Sequence, residues 1–462
     1  MERTTAKKNK YEIDMCNGTI MDKLISFSLP LMLSGILQLM FNAVDIIVVG
    51  RFSGSQALAA VGSTSALINV FTNLFIGISL GANVLTARFY AAGREKEVSE
   101  TVHTAITLAL VSGIVMALVG LVFSKGALAL MGTPDDVIGL SALYMRIYFL
   151  GMPFFMLYNY GAAILRAVGD TKRPLLFLMI AGVINACLNM VLVIVFKLGV
   201  AGVAIATVIS QMISCVLVLR CLCLSESSYR LRFSELGMKG YYLKQIFSVG
   251  IPAGIQSTVI NFSNVLLQSS VNSFGSTAMA GYTAANNLLG FLYVSVNSIT
   301  QACMSFTSQN YGVGKLKRMD RVLADCMILS VVVAVVLGCI CYGFGPEILQ
   351  IYTEDAEVIA CGMEILAYTT ITYFLCGWMD LFPGALRGMG YSAVPMVLSV
   401  IGTVGTRVVW IFGIFPYHRS LAILFISYPA SWIITIVLQV ICFYFVRRRV
   451  HRRSQALAGQ EA

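Results

Sequence analysis

The chain has 462 residues, of which 58% are hydrophobic and only 12% charged, and its mean hydropathy is +0.82. So much apolar surface cannot be kept from water by folding alone, which excludes a soluble enzyme or binding module and makes the bilayer the solvent. The net charge of +10 follows membrane topology and calls for no nucleic-acid partner.

Twelve apolar runs follow one another near 22–50, 56–85, 98–123, 137–165, 174–196, 200–224, 242–272, 277–308, 320–343, 357–386, 393–415 and 420–446. Each has the roughly 20 residues that a hydrocarbon core of about 30 Å demands of a helix. The basic opening MERTTAKKNK lacks the small-residue site of a cleavable signal, so the segment is expected to be retained. Of the 32 Lys and Arg, 26 fall on the side of the N-terminus, while Arg51, Lys125, Lys197 and Arg419 fall on the other and Arg146 and Arg407 lie within spans. The positive-inside rule then puts both termini in the cytoplasm of a multi-pass protein of the cytoplasmic (inner) membrane. The expected division is a cytoplasmic N-terminal segment (1–21), an N-lobe (22–224), a cytoplasmic linker (225–241), a C-lobe (242–446) and a basic cytoplasmic tail (447–462).

The first span carries Ser34, Gln38, Asn42 and Asp45 at helical spacing, a polar stripe that faces protein or water instead of lipid. At 1.5 Å per residue, Asp45 lies ~9 Å below Arg51, Asn189 and Asn185 of the fifth span lie ~12 and ~18 Å below Lys197, and Thr207 of the sixth lies ~12 Å below Gly199. A carboxylate with amide and hydroxyl oxygens at one level suits Na⁺ or a proton held by a buried acid. The same groups also suit a polar network that fastens three helices. Arg146, near the outer end of span four, reads as a snorkelling or capping residue.

From span seven onward the first half is repeated at an offset of 221 or 222 residues. Pro30 meets Pro252, Asn42 meets Asn264, and Gly54 and Ser55 meet Gly275 and Ser276. Leu165, Arg166, Gly169 and Pro174 meet Leu386, Arg387, Gly390 and Pro395. The fold class is therefore all-α integral membrane, with twelve transmembrane helices in two pseudo-symmetric six-helix lobes related as parallel repeats. Duplicated lobes are what alternating access requires.

Within this second half, Asn261, Asn264 and Gln268 on span seven and Asn297 and Gln301 on span eight are amides expected to line a wet substrate cavity. Gln256, with Gln38, Asn42 and Asn159 of the first half, belongs to the same expected lining. Asp380 on span ten falls on Asn159 in the repeat; with Arg407 on span eleven it is either an internal ion pair or part of coupling. Gly77 with Gly81 and Gly384 with Gly388 read as close helix packing. The 12 Cys are scattered without disulfide or zinc spacing, the 3 His have no metal-ligand spacing, and no GxxxxGK[ST] loop occurs. An ion gradient, Na⁺ or H⁺, is the expected energy source, with no cofactor and no enzymatic activity. A membrane enzyme would need clustered acids, histidines or a metal motif, and a scaffold would not need duplicated lobes.

These residues resemble the multidrug and toxic compound extrusion (MATE) family from about Met21 to Arg447. The resemblance is carried by Leu29-Pro30 with Asp45 and Gly50, by Ser308-Gln309-Asn310-Tyr311-Gly312-Val313-Gly314, by Leu165-Arg166-Ala167-Val168-Gly169-Asp170 with its twin Leu386-Arg387-Gly388-Met389-Gly390, and by Gly199-Val200-Ala201-Gly202. It implies a two-lobe antiporter, a monomer in the lipid bilayer, that exports organic cations and other amphiphiles in exchange for Na⁺ or H⁺. In the bacterial DinF-like and NorM-like branches the positions matching Asp45, Asn185, Asn189 and Thr207 carry the coupling cation, with an acid at the place of Asn189. The NorM-like Glu of span seven has no counterpart between Tyr242 and Asn272. A lipid-linked precursor or polysaccharide flippase of the same superfamily is the alternative reading, and it calls for a cationic cavity.

Overall fold

The computed structural model describes residues 10–458; the parts of the expected 1–21 segment and 447–462 tail beyond those limits lie outside the described residues. Its first half consists of α1 (Met21–Ser53), α2 (Ser55–Ala91), α3 (Glu95–Leu130), α4 (Asp135–Leu150), α5 (Met152–Ala167), α6 (Lys172–Asn189) and α7 (Gly199–Cys223). The second half consists of α8 (Gly240–Asn272), α9 (Ser276–Gly312), α10 (Leu316–Gly343), α11 (Gly345–Gln350), α12 (Ala356–Thr369), α13 (Tyr373–Gly388), α14 (Ala393–Ser399), α15 (Thr406–Val409) and α16 (Leu421–Ala458). Among the described residues no strand occurs.

Eight continuous helical segments are long and apolar enough to cross a bilayer, and the pairs α4/α5 and α12/α13, bent by 47° and 51°, raise the number to ten. The 33-residue α8 and the 37-residue α9 are long enough but carry the amides and hydroxyls that make them more polar. Together these make up the twelve-element layout. The first bend falls at Gly151, where Pro153 begins α5 without a backbone N–H to continue α4. At the second, the hydroxyls of Thr369, Thr370 and Thr372 donate to the carbonyls of Ile365, Leu366 and Tyr368 at 2.7, 2.6 and 2.8 Å. Such back-bonding loosens the helical ladder and bends it.

The repeat extends to the backbone. Gly54 and Gly275 stand just before α2 and α9 at φ 88° and 102°, and Gly169 and Gly390 stand in the loops after α5 and α13 at φ 98° and 91°. A side chain at these left-handed positions would strain the turn, so glycine recurs at the same place in both copies.

Two compact units are present. One comprises Leu33–Gly254 with residues 10–13; the other comprises Asp14–Met32 with residues 255–458. The division therefore falls inside α1 and α8, not within the 225–241 linker. The first half of α8 joins the first unit because glycines let it come close: a Cβ on Gly77 would stand 2.3 Å from the Gly254 Cα, and one on Gly81 would stand 2.2 Å from the Ile246 carbonyl oxygen. In the second unit, Gly384 and Gly388 meet Thr300, Met304 and Thr307 of α9 in the same manner. Both pairs read from the sequence as close-packing motifs thus pack closely.

Burial is inverted relative to a soluble protein. Val122, Phe123 and Phe445 are exposed, whereas Asn83, Asn189, Asn310, Arg407 and Gln439 are buried. This is the pattern that hydrocarbon solvation selects. The first core gathers residues such as Val48, Ala60, Phe149, Tyr160 and Ile246; the second gathers Leu267, Tyr282, Phe425 and Trp432.

Valine at Gly81 should force α8 away from α2 and lower the thermal unfolding temperature of the detergent-solubilised protein by the equivalent of about 1–3 kcal/mol. Gly62→Ala, on the same helix with no atom within 4 Å of the added Cβ, should leave it unchanged or slightly raised. Equal effects at both positions would contradict the close approach.

Candidate functional site

In the first unit, three helices bring together the four residues expected there. Asp45 is 9% exposed on α1, and Asn185 and Asn189 are buried on α6. Asn189 is the last residue of α6 before the chain passes into a π-helical turn, Met190–Val195, a widened geometry that often occurs at functional positions. Because Asn185 and Asn189 are one turn apart, the Asn189 Nδ2 donates to Asn185 Oδ1 at 3.1 Å. The same amide nitrogen donates to Asp45 Oδ1. Thr207 of α7, whose hydroxyl donates to the Val203 carbonyl at 3.0 Å, stands close enough to act on the Asp45 carboxylate. No Lys or Arg is paired with Asp45 among the described residues, so the carboxylate is held by neutral donors. A carboxylate in that setting can take up a proton or a cation without first breaking an ion pair.

Sequence reasoning missed the aromatic wall of this site. Tyr144 and Tyr148 of α4 lie within electrostatic reach of Asp45, and Gln211 of α7 stands beside Gly151 at the end of α4. Gln211 stands one helical turn after Thr207, so the i, i+4 spacing was available to find it. Tyr144 and Tyr148 carry no comparable signal, since aromatic residues at helical spacing are ordinary core.

Asp380 and Arg407 do not form the pair that depth along the chain allowed. Arg407 is 3% exposed and its Nη1 donates to Ser263 Oγ at 2.8 Å and Asn264 Oδ1 at 2.7 Å. Its guanidinium lies 4.7 Å from the centre of the Tyr428 ring, and the Tyr428 hydroxyl is 2.8 Å from that of Tyr282. Asp380 instead faces Arg387 electrostatically, and Arg387 donates to Gln256 Oε1 at 2.6 Å. The sequence estimate measured rise along a helix but not direction around it.

The expected cavity amides divide in the same way. Gln256 and Asn264 are bound to arginines, Gln301 donates to Asn297 at 3.1 Å, and Gln268 donates to Asn272 at 3.1 Å. Asn159 Nδ2 donates to the Phe155 carbonyl at 2.8 Å. Gln38, Asn42 and Asn261 are exposed.

The Ser308–Gly314 motif has a structural task in the second unit. Asn310 Nδ2 donates to the Met15 carbonyl at 3.1 Å, while Lys315 and Arg318 just beyond it donate to Cys16, Asn17 and Gly18 at 2.8–3.0 Å. In the first unit, Glu12 accepts from the hydroxyls of Tyr90 and Tyr229 at 2.8 and 2.7 Å. Outside the spans, burial raises the Asp170 carboxyl while Arg173 pulls it back down.

The MatE family model matches residues 30–191 and again 252–412. The "Probable multidrug resistance protein YoeA" of Bacillus subtilis is 32% identical over 434 residues, covering 92% of this chain and 93% of the relative. The "Probable multidrug resistance protein NorM" of Thermotoga maritima is 26% identical over 393 residues, covering 83% of each. Among solved structures, an outward-facing multidrug resistance MATE transporter of the MOP superfamily superposes with a TM-score of 0.87 at 19% identity, covering 97% of this chain and 100% of that one. A Pyrococcus furiosus transporter of that superfamily, described as having a binding pocket of reverse polarity, gives 0.86 at 19% identity over 96% and 99%. At that identity the solved structures speak to the fold.

Two sets of substitutions test the side-chain partners. Asn189→Leu should leave a buried carboxylate short of a donor and cost about 1–3 kcal/mol of stability; adding Asp45→Leu should recover part of the loss in a double-mutant cycle. In the second unit, Asp380→Asn should offset the loss from Arg387→Met but not that from Arg407→Met. The reverse outcome would restore the 380–407 pair.

Proposed function

Since the chain belongs to the multidrug and toxic compound extrusion (MATE) family, we propose that it is a secondary-active antiporter exporting organic cations and amphiphilic drugs by alternating access of its two repeats. Asp45 is its coupling residue, with Asn185, Asn189 and Thr207 as supporting groups. The protein acts as a monomer in the cytoplasmic membrane with both termini in the cytoplasm. The observation that carries the reading is a buried carboxylate with neutral partners in the first unit of a chain whose relatives bear multidrug-resistance names. An acid that gains its ion in one arrangement and gives it up in the other supplies the competition that exchange requires.

Of the two coupling ions, the hydrogen bonds favour H⁺. Na⁺ needs several oxygens directed at it, whereas Asn189 directs its amide nitrogen at the carboxylate and the Thr207 hydroxyl proton goes to the Val203 carbonyl. Coordination of Na⁺ would require the Asn189 amide to turn over. The flippase alternative calls for a cationic central cavity formed by residues within the spans, and it gains no support from Arg407, which is buried in the second unit on Ser263, Asn264 and Tyr428.

The deciding experiment is fluorescent-cation transport in proteoliposomes under separately imposed gradients. A proton gradient alone should drive it and a sodium gradient alone should not; Asp45→Asn should abolish the driven component. Undiminished gradient-driven transport by the Asp45→Asn protein would falsify the assignment.

A further inference from the structure

Away from Asp45, the first unit contains a cavity of about 650 Å³ at the end where α6 begins and α7 finishes. The Lys/Arg bias places this end at the cytoplasmic face. Three cations line it: Lys10, Arg173 and Arg220. Arg173 is fixed, since Asp170 accepts from its Nε and the Tyr11 ring lies 5.4 Å from its guanidinium carbon. Its Nη2 is nevertheless buried without a hydrogen-bond partner. Lys10 and Arg220 are exposed and have no ion-pair or hydrogen-bond partner among the described residues. Asp170 pairs with Arg173, and of the lining residues Lys10, Arg173 and Arg220 outnumber the one acid, Glu226, which leaves the lining with surplus positive charge.

Beside Ser225 and Ser227, the cavity has an apolar flank. Phe177, Leu217 and Leu224 line it, and Leu224 is 70% exposed. On the same two helices Leu176, Met179 and Val216 are exposed. A soluble anion would have no use for this second half of the site. A phosphodiester with acyl chains uses both halves: its single negative charge meets the surplus positive charge at headgroup depth, and its chains follow α6 and α7 into the hydrocarbon. Basic pockets at the cytoplasmic ends of spanning helices suit this chemistry.

We propose that this cavity holds the headgroup of an anionic phospholipid of the cytoplasmic leaflet, with Lys10, Arg173 and Arg220 as its donors. The test uses the full-length protein purified from membranes containing equal amounts of phosphatidylglycerol and phosphatidylcholine, with tightly retained lipid counted by native mass spectrometry. The wild type should retain phosphatidylglycerol in preference. The double variant Lys10→Gln/Arg220→Gln should weaken that retention by about fivefold for each charge removed, while Arg220→Lys should preserve it. Neither position has a structural partner, so the variants should unfold at the wild-type temperature. Equal retention of the two lipids, or unchanged retention in the double variant, would overturn the proposal. So would complete displacement of phosphatidylglycerol by millimolar inorganic phosphate, which would assign the cavity to a soluble anion.

Discussion

Hydrocarbon offers no hydrogen bonds, and that constraint governs the arrangement of polar groups throughout this chain. Any charge inside a span must be satisfied by the protein itself. Asp45 finds the Asn189 amide, and Arg407 finds a serine, an asparagine and the face of a tyrosine. Neither is neutralised by a salt bridge among the described residues. The helices that carry these partners are therefore bound to one another by polar contacts, because apolar side chains gain no hydrophobic advantage by leaving lipid for protein. Small residues supply the rest of the cohesion by letting backbones approach, as at Gly81 and Gly388.

The same constraint explains what could be read from the sequence. Long apolar runs are written directly into the chain, so the element layout was accessible. The repeat was legible because its glycines occupy left-handed turns that admit little else, as at Gly169 and Gly390. The cluster around Asp45 was legible because rise along a helix measures depth, and depth places Asn189 and Thr207 at the level of the acid. Azimuth is not encoded in this way. Asp380 and Arg407 were plausible partners by depth yet point to different neighbours, Arg387 and Asn264. Periodicity also says that α1 and α8 are helices without saying that their two halves belong to different compact units.

A comparison of the two units by repeat position shows where their chemistry diverges. In the first, the polar seam joins the first and fifth spans of the repeat: Asp45 on α1 accepts from Asn189 at the end of α6. In the second, the equivalent spans are joined again, but Arg407 on α15 donates to Ser263 and Asn264 on α8. At an offset of 221 or 222, Asn264 stands on Asn42, Arg407 on Ala186, and Asp45 on Leu266 or Leu267. The charge has changed sign and moved to the other helix of the pair. In both units the polar residue of the fifth span adjoins π-helical turns, Met190–Val195 in one and Val400–Gly405 with Trp410–Ile414 in the other.

This asymmetry bears on which seam can do work. A group that couples an ion to a conformational cycle must change its own bound state within that cycle. The guanidinium of Arg407 keeps its proton at any physiological pH, and two neutral oxygens and an aromatic face already hold it. It is suited to fastening its helices. A carboxylate can exist charged, protonated or bound to a cation, and each state places a different demand on the Asn189 amide and the Thr207 hydroxyl. Changing the state of Asp45 therefore changes the strength of the contact between α1, α6 and α7. That places the proposed coupling in the first unit and leaves the second to brace itself around a charge that does not switch.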